Sequence, residues 1–190
     1  MICSRTGAWR LLLGSAAIAL AAAGAAEAKD LKVGLTSDAV HFDPQAGEEL
    51  SSNIMFYHVY DPLVRRDADL NFGPGLAESW ELTDDTTWVF HLRPGVKFHD
   101  GSDFKASDVV FTIDRLKASL MANLGANIVS ATAIDDLTVE IKTPFPYAAL
   151  PNDLAAILIL SEAHAKAVGD TELDSSPMGT GPYKLGEWIK

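Results

Sequence analysis

Histidine and aspartate stand close enough for acid–base or metal chemistry at two places in the chain. The first is His99-Asp100 within VKFHDGSDFKASDVVF (Val96 to Phe111), and the second is His41 with Asp43 in HFDP. A metal site needs converging ligands, and a helical pair would be spaced i, i+3 or i, i+4. Neighbouring residues on an extended chain point to opposite sides, so His99 and Asp100 do not chelate together. Asp100-Gly101 is instead a strong turn signal. His41 and Asp43 share one face of an extended segment, but Asp43-Pro44 also opens a turn. His58 falls on the apolar stripe of a predicted helix and is expected in the core, while His91 and His164 carry no pattern.

Other chemistries find less support. There is no G-x-S-x-G nucleophile turn, and Gly179-Thr180-Gly181-Pro182 lacks the lysine and spacing of a phosphate-binding loop. Asp84-Asp85 and Asp135-Asp136 fall in predicted hairpin turns, where a solvated aspartate is the default. These residues therefore specify no catalytic centre, no metal site and no cofactor.

The elements that would position these groups can be read from periodicity. Leu31, Val33 and Leu35 alternate in a short strand leading into the turn-rich TSDAVHFDPQAGEE. A helix follows, with Ser51 or Ser52 as N-cap and Ile54, Met55, His58 and Val59 on one stripe, ending at Asp61-Pro62. WELTDDTTWVFHL reads as a hairpin with Trp88, Phe90 and Leu92 facing one side. Val109, Val110, Ile113 and Leu116 predict an amphipathic helix from Ala106 to about Ser119. IVSATAIDDLTVEIK is a second hairpin that turns Leu137, Val139 and Ile141 inward and is stopped by Pro144 and Pro146. Ala155 to Leu160 (AAILIL) reads as a buried strand. Ser161 then caps a helix through Val168, and Gly169 ends it. SSPMGTGPYKLGEW approaches a further strand, which the end of the sequence leaves without a partner. This mixture of hairpins and helices is of the mixed α/β (α+β) class.

The first residues have another purpose. Arg5 and Arg10 precede the apolar run Leu11 to Ala23, and Ala26-Glu27-Ala28 offers small residues for a signal peptidase. Residues 1–28 are expected to be a cleaved secretory signal, cut after Ala28. Cys3, the only cysteine, lies within it, so no disulfide or lipid-bearing thiol is expected in the mature chain. Cleavage removes Arg5, Arg10 and Glu27, so the formal charge of −11 becomes −12. An acidic exported chain of this kind is a poor partner for nucleic acid or anionic membranes.

Two stretches carry a resemblance. They are YDPLVRRDADLNFGPGLAESWELTDDTTWVFHLRPGVKFHDGSDFKASDVVFTIDRL (Tyr60 to Leu116) and MGTGPYKLGEW (Met178 to Trp188). Together with the opening strand and HFDPQ, they resemble the extracellular solute-binding proteins of family 5. These are the dipeptide-, oligopeptide- and nickel-binding components of ABC importers. The resemblance implies a periplasmic-binding-protein type II-like fold, here incomplete. Residues 29–44 and 170–190 would begin the large lobe, and residues 45–169 would form the small subdomain.

It also implies a periplasmic protein that captures a small solute, a peptide before others, and delivers it to an inner-membrane ABC permease. A monomer without cofactor is expected. The linker after the first strand faces the cleft in the family, so Thr36, Ser37, Asp38, His41, Glu48 and Glu49 are the candidate ligand contacts. Family members usually carry threonine where this chain has Lys105, at a helix start. Lysine accepts no hydrogen bond, which leaves Asp103, or Ser107 after a later start, as the cap. The rival readings are a small exported hydrolase using His41, Asp43 or His99, and a truncated remnant without function.

Overall fold

A computed structural model describes residues 32–47 and 49–189. The chain divides into a unit Met1–Gly34, of which only Lys32–Gly34 is described, and a unit Leu35–Lys190. The expected signal segment lies outside the described residues. Of the expected strand Leu31–Leu35, the described part is irregular, and Val33 and Leu35 are exposed.

In the second unit the two hairpins form where alternation placed them. β1 (Val64–Arg66) and β2 (Phe72–Pro74) make a small two-stranded ribbon. β3 (Ala77–Asp84), β4 (Thr87–Leu92), β5 (Ser130–Asp135) and β6 (Thr138–Lys142) build an antiparallel sheet in the order β3-β4-β6-β5. Register pairs Phe90 with Val139 and Trp88 with Ile141 across β4 and β6, so these side chains share one face. Leu137 is half exposed at the turn rather than inward, because the strand begins only at Thr138.

Helix α1 (Leu50–Val59) and helix α2 (Ala106–Lys117) supply the main helical packing. α2 lays Val109, Ile113 and Leu116, all almost completely buried, on the core that includes Phe90, Val139 and Ile141. Burying each such side chain is worth ~1.5–3 kcal/mol. α1 departs from its expected face. The buried positions are Ser52, Phe56 and Val59, while Ile54 and His58 are exposed. His58 is therefore a surface residue, and its Nδ1 lies 2.8 Å from Ile54 O. Glu49 holds the N-cap position of α1 without a side-chain cap. Ser52 instead turns inward, where its hydroxyl accepts the Val40 N–H at 3.0 Å.

The segment Ala155 to Leu160 is buried as expected but joins no sheet. Its ties include an antiparallel bridge between Leu158 and Pro62 and bonds to Tyr57, Asp61 and Thr112. Ile159 N–H goes to Asp61 O and Leu160 N–H to the Thr112 hydroxyl, so the donors a ladder would use are taken elsewhere. It is followed, after the short helix α3 (Leu150–Leu154) that precedes it, by α4 (Glu162–Val168) and α5 (Asp170–Leu173). Ser161 caps α4 by accepting His164 N–H, and Gly169 ends it at φ 77°. These two signals act as read.

The glycines of GTGPY have a packing reason. A Cβ on Gly179 would lie 2.0 Å from Val59 O, and one on Gly181 would lie 2.7 Å from His58 O. The chain thus crosses the end of α1 at backbone contact, where Gly181 N–H bonds Val59 O and Tyr183 N–H bonds His58 O. From Tyr183 to Ile189 no strand forms, since the donor of Tyr183 is given to a helix end rather than to a sheet edge.

Candidate functional site

The linker Thr36–Glu49 is fixed by polar contacts rather than by secondary structure. Phe42 N–H donates to Asp174 Oδ1 at 2.7 Å, and the buried Tyr60 hydroxyl donates to Phe42 O at 3.1 Å. Burial pushes the Tyr60 hydroxyl far above its ordinary titration range, so it acts only as a neutral donor. The predicted turn at Asp43-Pro44 is present, with Ala46 N–H on Asp43 O and Gln45 N–H on Asp43 Oδ1.

Asp43 has a second duty that its turn chemistry did not announce. Arg115, from the last turn of α2, donates Nη1 to Asp43 Oδ1 at 3.1 Å and Nη2 to Asp43 Oδ2 at 2.6 Å. The same Nη1 reaches Gln45 Oε1 at 2.9 Å, and Nε reaches Asp170 Oδ1 at 3.0 Å. Burial alone would lower the Arg115 pKa, but Asp43 and Asp170 outweigh it and hold the guanidinium above its ordinary value. The Asp43 and Arg115 side chains are only 7% and 16% exposed. Such a two-pronged, desolvated pair is costly to break from one side. A cleft of about 360 Å³ opens beside this pair, lined also by Ala46, Ser119 and Leu120.

Of the six candidate contacts, the structure brings two together. His41 Nε2 lies 2.5 Å from Glu49 Oε2, and His41 Nδ1 lies 3.0 Å from Asp43 O. His41 is buried against the Phe56 ring, whereas half of the Glu49 side chain is exposed. The Glu49 backbone N–H first, and His41 second, hold the Glu49 carboxyl below its usual value. Gly47 lies directly beneath this pair, since a Cβ there would come within 2.8 Å of the Glu49 carboxylate. Thr36, Ser37 and Asp38 are exposed and stand apart from it; Asp38 Oδ1 accepts its neighbour's Ala39 N–H. Glu48 lies outside the described residues.

The His99 region is a turn. Ser102 donates both N–H and hydroxyl to Asp100 Oδ1, which lowers the Asp100 pKa, and Gly101 takes φ 90°. His99 holds the crossing segment: its N–H bonds Gly179 O, and Nε2 donates to Gly181 O at 2.9 Å. Nε2 must carry the hydrogen, because its partner is a carbonyl. Among the described residues, no hydrogen bond or ion pair joins His99 to His41 or Asp43. No group of three metal-ligating side chains is gathered among them either. A second cleft, of about 350 Å³, lies between Tyr57, Asp61, Arg65, Arg66 and Pro182. Its two arginines are engaged, Arg65 with Asp61 and Arg66 with Asn152.

Residues 71–190 match the family described as Bacterial extracellular solute-binding proteins, family 5 Middle. The chain belongs to this family. The glutathione-binding protein GsiB of Escherichia coli (strain K12) is 36% identical over 179 residues, covering 90% of this chain and 35% of that protein. The chain thus spans about a third of the length of the curated relatives it matches. Solved structures agree. The ABC transporter-associated periplasmic binding protein DppA from Helicobacter pylori, in complex with a peptide, superposes with a TM-score of 0.70 at 29% identity, over 80% of this chain and 36% of that one. MoaA from A. tumefaciens, in complex with mannopinic acid, gives 0.72 at 30% identity, over 78% of this chain and 32% of that one. The fold of the chain is accordingly a partial type II periplasmic-binding fold of mixed α/β class. Among the described residues no helix is long and apolar enough to cross a membrane.

Proposed function

We propose that this chain is part of a periplasmic solute-binding component of an ABC importer, which takes up a peptide-like solute and hands it to an inner-membrane permease. The observation that carries this reading is the match of residues 71–190 to family 5, joined to a 36% likeness to a glutathione-binding protein. Within it, residues 1–28 are an export signal cleaved after Ala28. Residues 29–44 and 170–190 belong to the large lobe and 45–169 to the small subdomain. The protein works as a monomer without cofactor, and the charge of −12 left after cleavage (−11 for the full sequence) favours neither nucleic acid nor anionic lipid.

The exposed half of Glu49 is the contact we assign to the solute's cationic or polar group, with His41 behind it. Thr36, Ser37, Asp38 and Glu48 are further contacts on the same linker. The binding reading is favoured over a hydrolase by what the histidines do. Of the residues a hydrolase would use, Asp43 is held in an ion pair by Arg115 and His41 Nε2 faces Glu49, and among the described residues no hydrogen bond or ion pair joins His99 to either.

Isothermal titration of glutathione and of a short peptide into the chain tests the assignment. A saturable heat is expected, weakened about tenfold or more by Glu49→Gln, which corresponds to ~1.4 kcal/mol. Saturable binding untouched by that substitution would remove Glu49 from the site. No heat from either solute would refute the peptide assignment.

A further inference from the structure

The linker that carries the candidate contacts meets helix α2 chiefly through Arg115. Its fork grips both oxygens of Asp43 at 3.1 and 2.6 Å, and a third bond runs to Gln45. Gln45 Nε2 in turn donates to Thr112 O on the same helix, at 3.0 Å. The grip continues outward. Asp43 O receives His41 Nδ1 at 3.0 Å. A carbonyl cannot donate, so Nδ1 carries the hydrogen and the ring has one allowed orientation. Nε2 then faces Glu49 Oε2 at 2.5 Å. Four residues from two elements far apart in sequence thus form one series, Arg115, Asp43, His41 and Glu49, in which Asp43 contributes its carboxylate to Arg115 and its backbone carbonyl to His41.

We infer that Arg115 is a positioning residue for the Glu49 carboxylate, acting through Asp43 and His41. By anchoring residue 43 through its carboxylate, Arg115 ties to α2 the turn whose Asp43 backbone carbonyl, bound also by Ala46 N–H, receives the His41 ring, and that ring meets Glu49. Gly47 leaves room for this arrangement: a Cβ there would come within 2.8 Å of the Glu49 carboxylate and 3.0 Å of His41 Nε2. The outer arm of Arg115, to Asp170, takes no part: the Asp170 side chain is 85% exposed and does not touch the linker side of the guanidinium. This inference rests on the assignment of Glu49 to the solute.

The test compares Arg115→Lys with Asp170→Ala in the full chain. Lysine keeps the positive charge but loses the fork. NMR titration reads the Glu49 carboxyl midpoint and the hydrogen-bonded His41 ring N–H signal, and calorimetry reads glutathione binding. Arg115→Lys is expected to raise the Glu49 midpoint, abolish the His41 signal and weaken glutathione binding, while the thermal transition stays cooperative. Asp170→Ala is expected to leave all three readouts unchanged. Unaltered Glu49 and His41 signals in Arg115→Lys would overturn the inference, and so would equal changes in Asp170→Ala, which would mark a general loosening. Should the lysine variant fail to fold, Asp43→Asn replaces it, keeping the backbone carbonyl and a turn acceptor; the same three changes are then required. If the NMR signals shift while glutathione affinity holds, the positioning stands and the assignment of Glu49 to the solute falls.

Discussion

Asp108 closes two helices at once, and removing it should show as much. Lys105 occupies the N-cap of α2, and its ammonium has no lone pair to offer the first turn. Only the return half of a capping box is therefore made: Asp108 Oδ2 accepts Lys105 N–H at 2.8 Å. The other oxygen, Oδ1, accepts Glu162 N–H at 2.9 Å, at the start of α4. Asp108→Ala takes an acceptor from two helix N-termini. At ~1 kcal/mol for each lost cap, the expected loss is about 2 kcal/mol at neutral pH, and about half of that for Asp108→Asn, which keeps one acceptor oxygen.

The pH dependence sharpens this. Burial pushes the Asp108 carboxyl up from its ordinary range, against the pull of the two N–H donors. A folded pKa above the unfolded one means that folding favours the protonated form. The group's contribution is therefore fully present below its unfolded pKa and declines as pH rises through the folded value. The gap between wild type and Asp108→Ala should widen from pH ~7 to pH ~4, close to the free aspartate range. Urea unfolding followed by tryptophan fluorescence measures it at both pH values. A gap under ~0.5 kcal/mol at neutral pH, or one that narrows on acidification, refutes the double-cap argument.

The crossing of GTGPY over α1 makes a steric forecast. Gly179→Ala and Gly181→Ala should each destabilise by more than ~3 kcal/mol or prevent folding, because the obstacle is helix backbone that cannot rotate away. Gly186→Ala meets nothing within 4 Å and should melt as wild type does, and equal melting temperatures for all three would sink the reasoning. Lys105→Thr should raise the denaturation midpoint by supplying the missing acceptor at the start of α2, although it gives up the exposed Lys105–Asp136 contact at 3.0 Å. An unchanged or lower midpoint would mean that the Asp136 contact matters more than the cap.

What was legible in the sequence follows from the range of the forces involved. Both hairpins and α2 could be read because alternation and the 3.6-residue period are local and each has a buried face to satisfy. The Ser161 cap and Gly169 stop are likewise local. The face of α1 could not be read this way. Phe56 is buried and Ile54 is not because the helix packs beside Leu158 and Leu160, residues about a hundred positions on. Ala155 to Leu160 has the apolar run of a strand, yet whether such a run pairs depends on where its N–H groups find acceptors. Here Thr112 and Asp61 supply them. Asp103 and Ser107 did not become the cap of α2; Asp103 is drawn instead to Lys97 at 2.5 Å.

The candidate site shows the same divide at higher stakes. His41 and Glu49 were visible as residue types that bind polar solutes, but nothing in their spacing brings the two together. That depends on Asp43, which turn chemistry explains completely, and on Arg115, which lies 72 residues away at the end of an amphipathic helix. A turn-forming aspartate and a helix-terminal arginine each have an adequate local explanation, so neither calls for a partner when read alone. Their pairing supplies what the linker lacks, namely a rigid reference for a segment with no secondary structure of its own. For the solute contact proposed at Glu49, a direction set before the solute arrives would lower the ordering cost of binding. The linker is anchored to α2, itself held by the sheet core, through Arg115 and through Gln45 on Thr112 O.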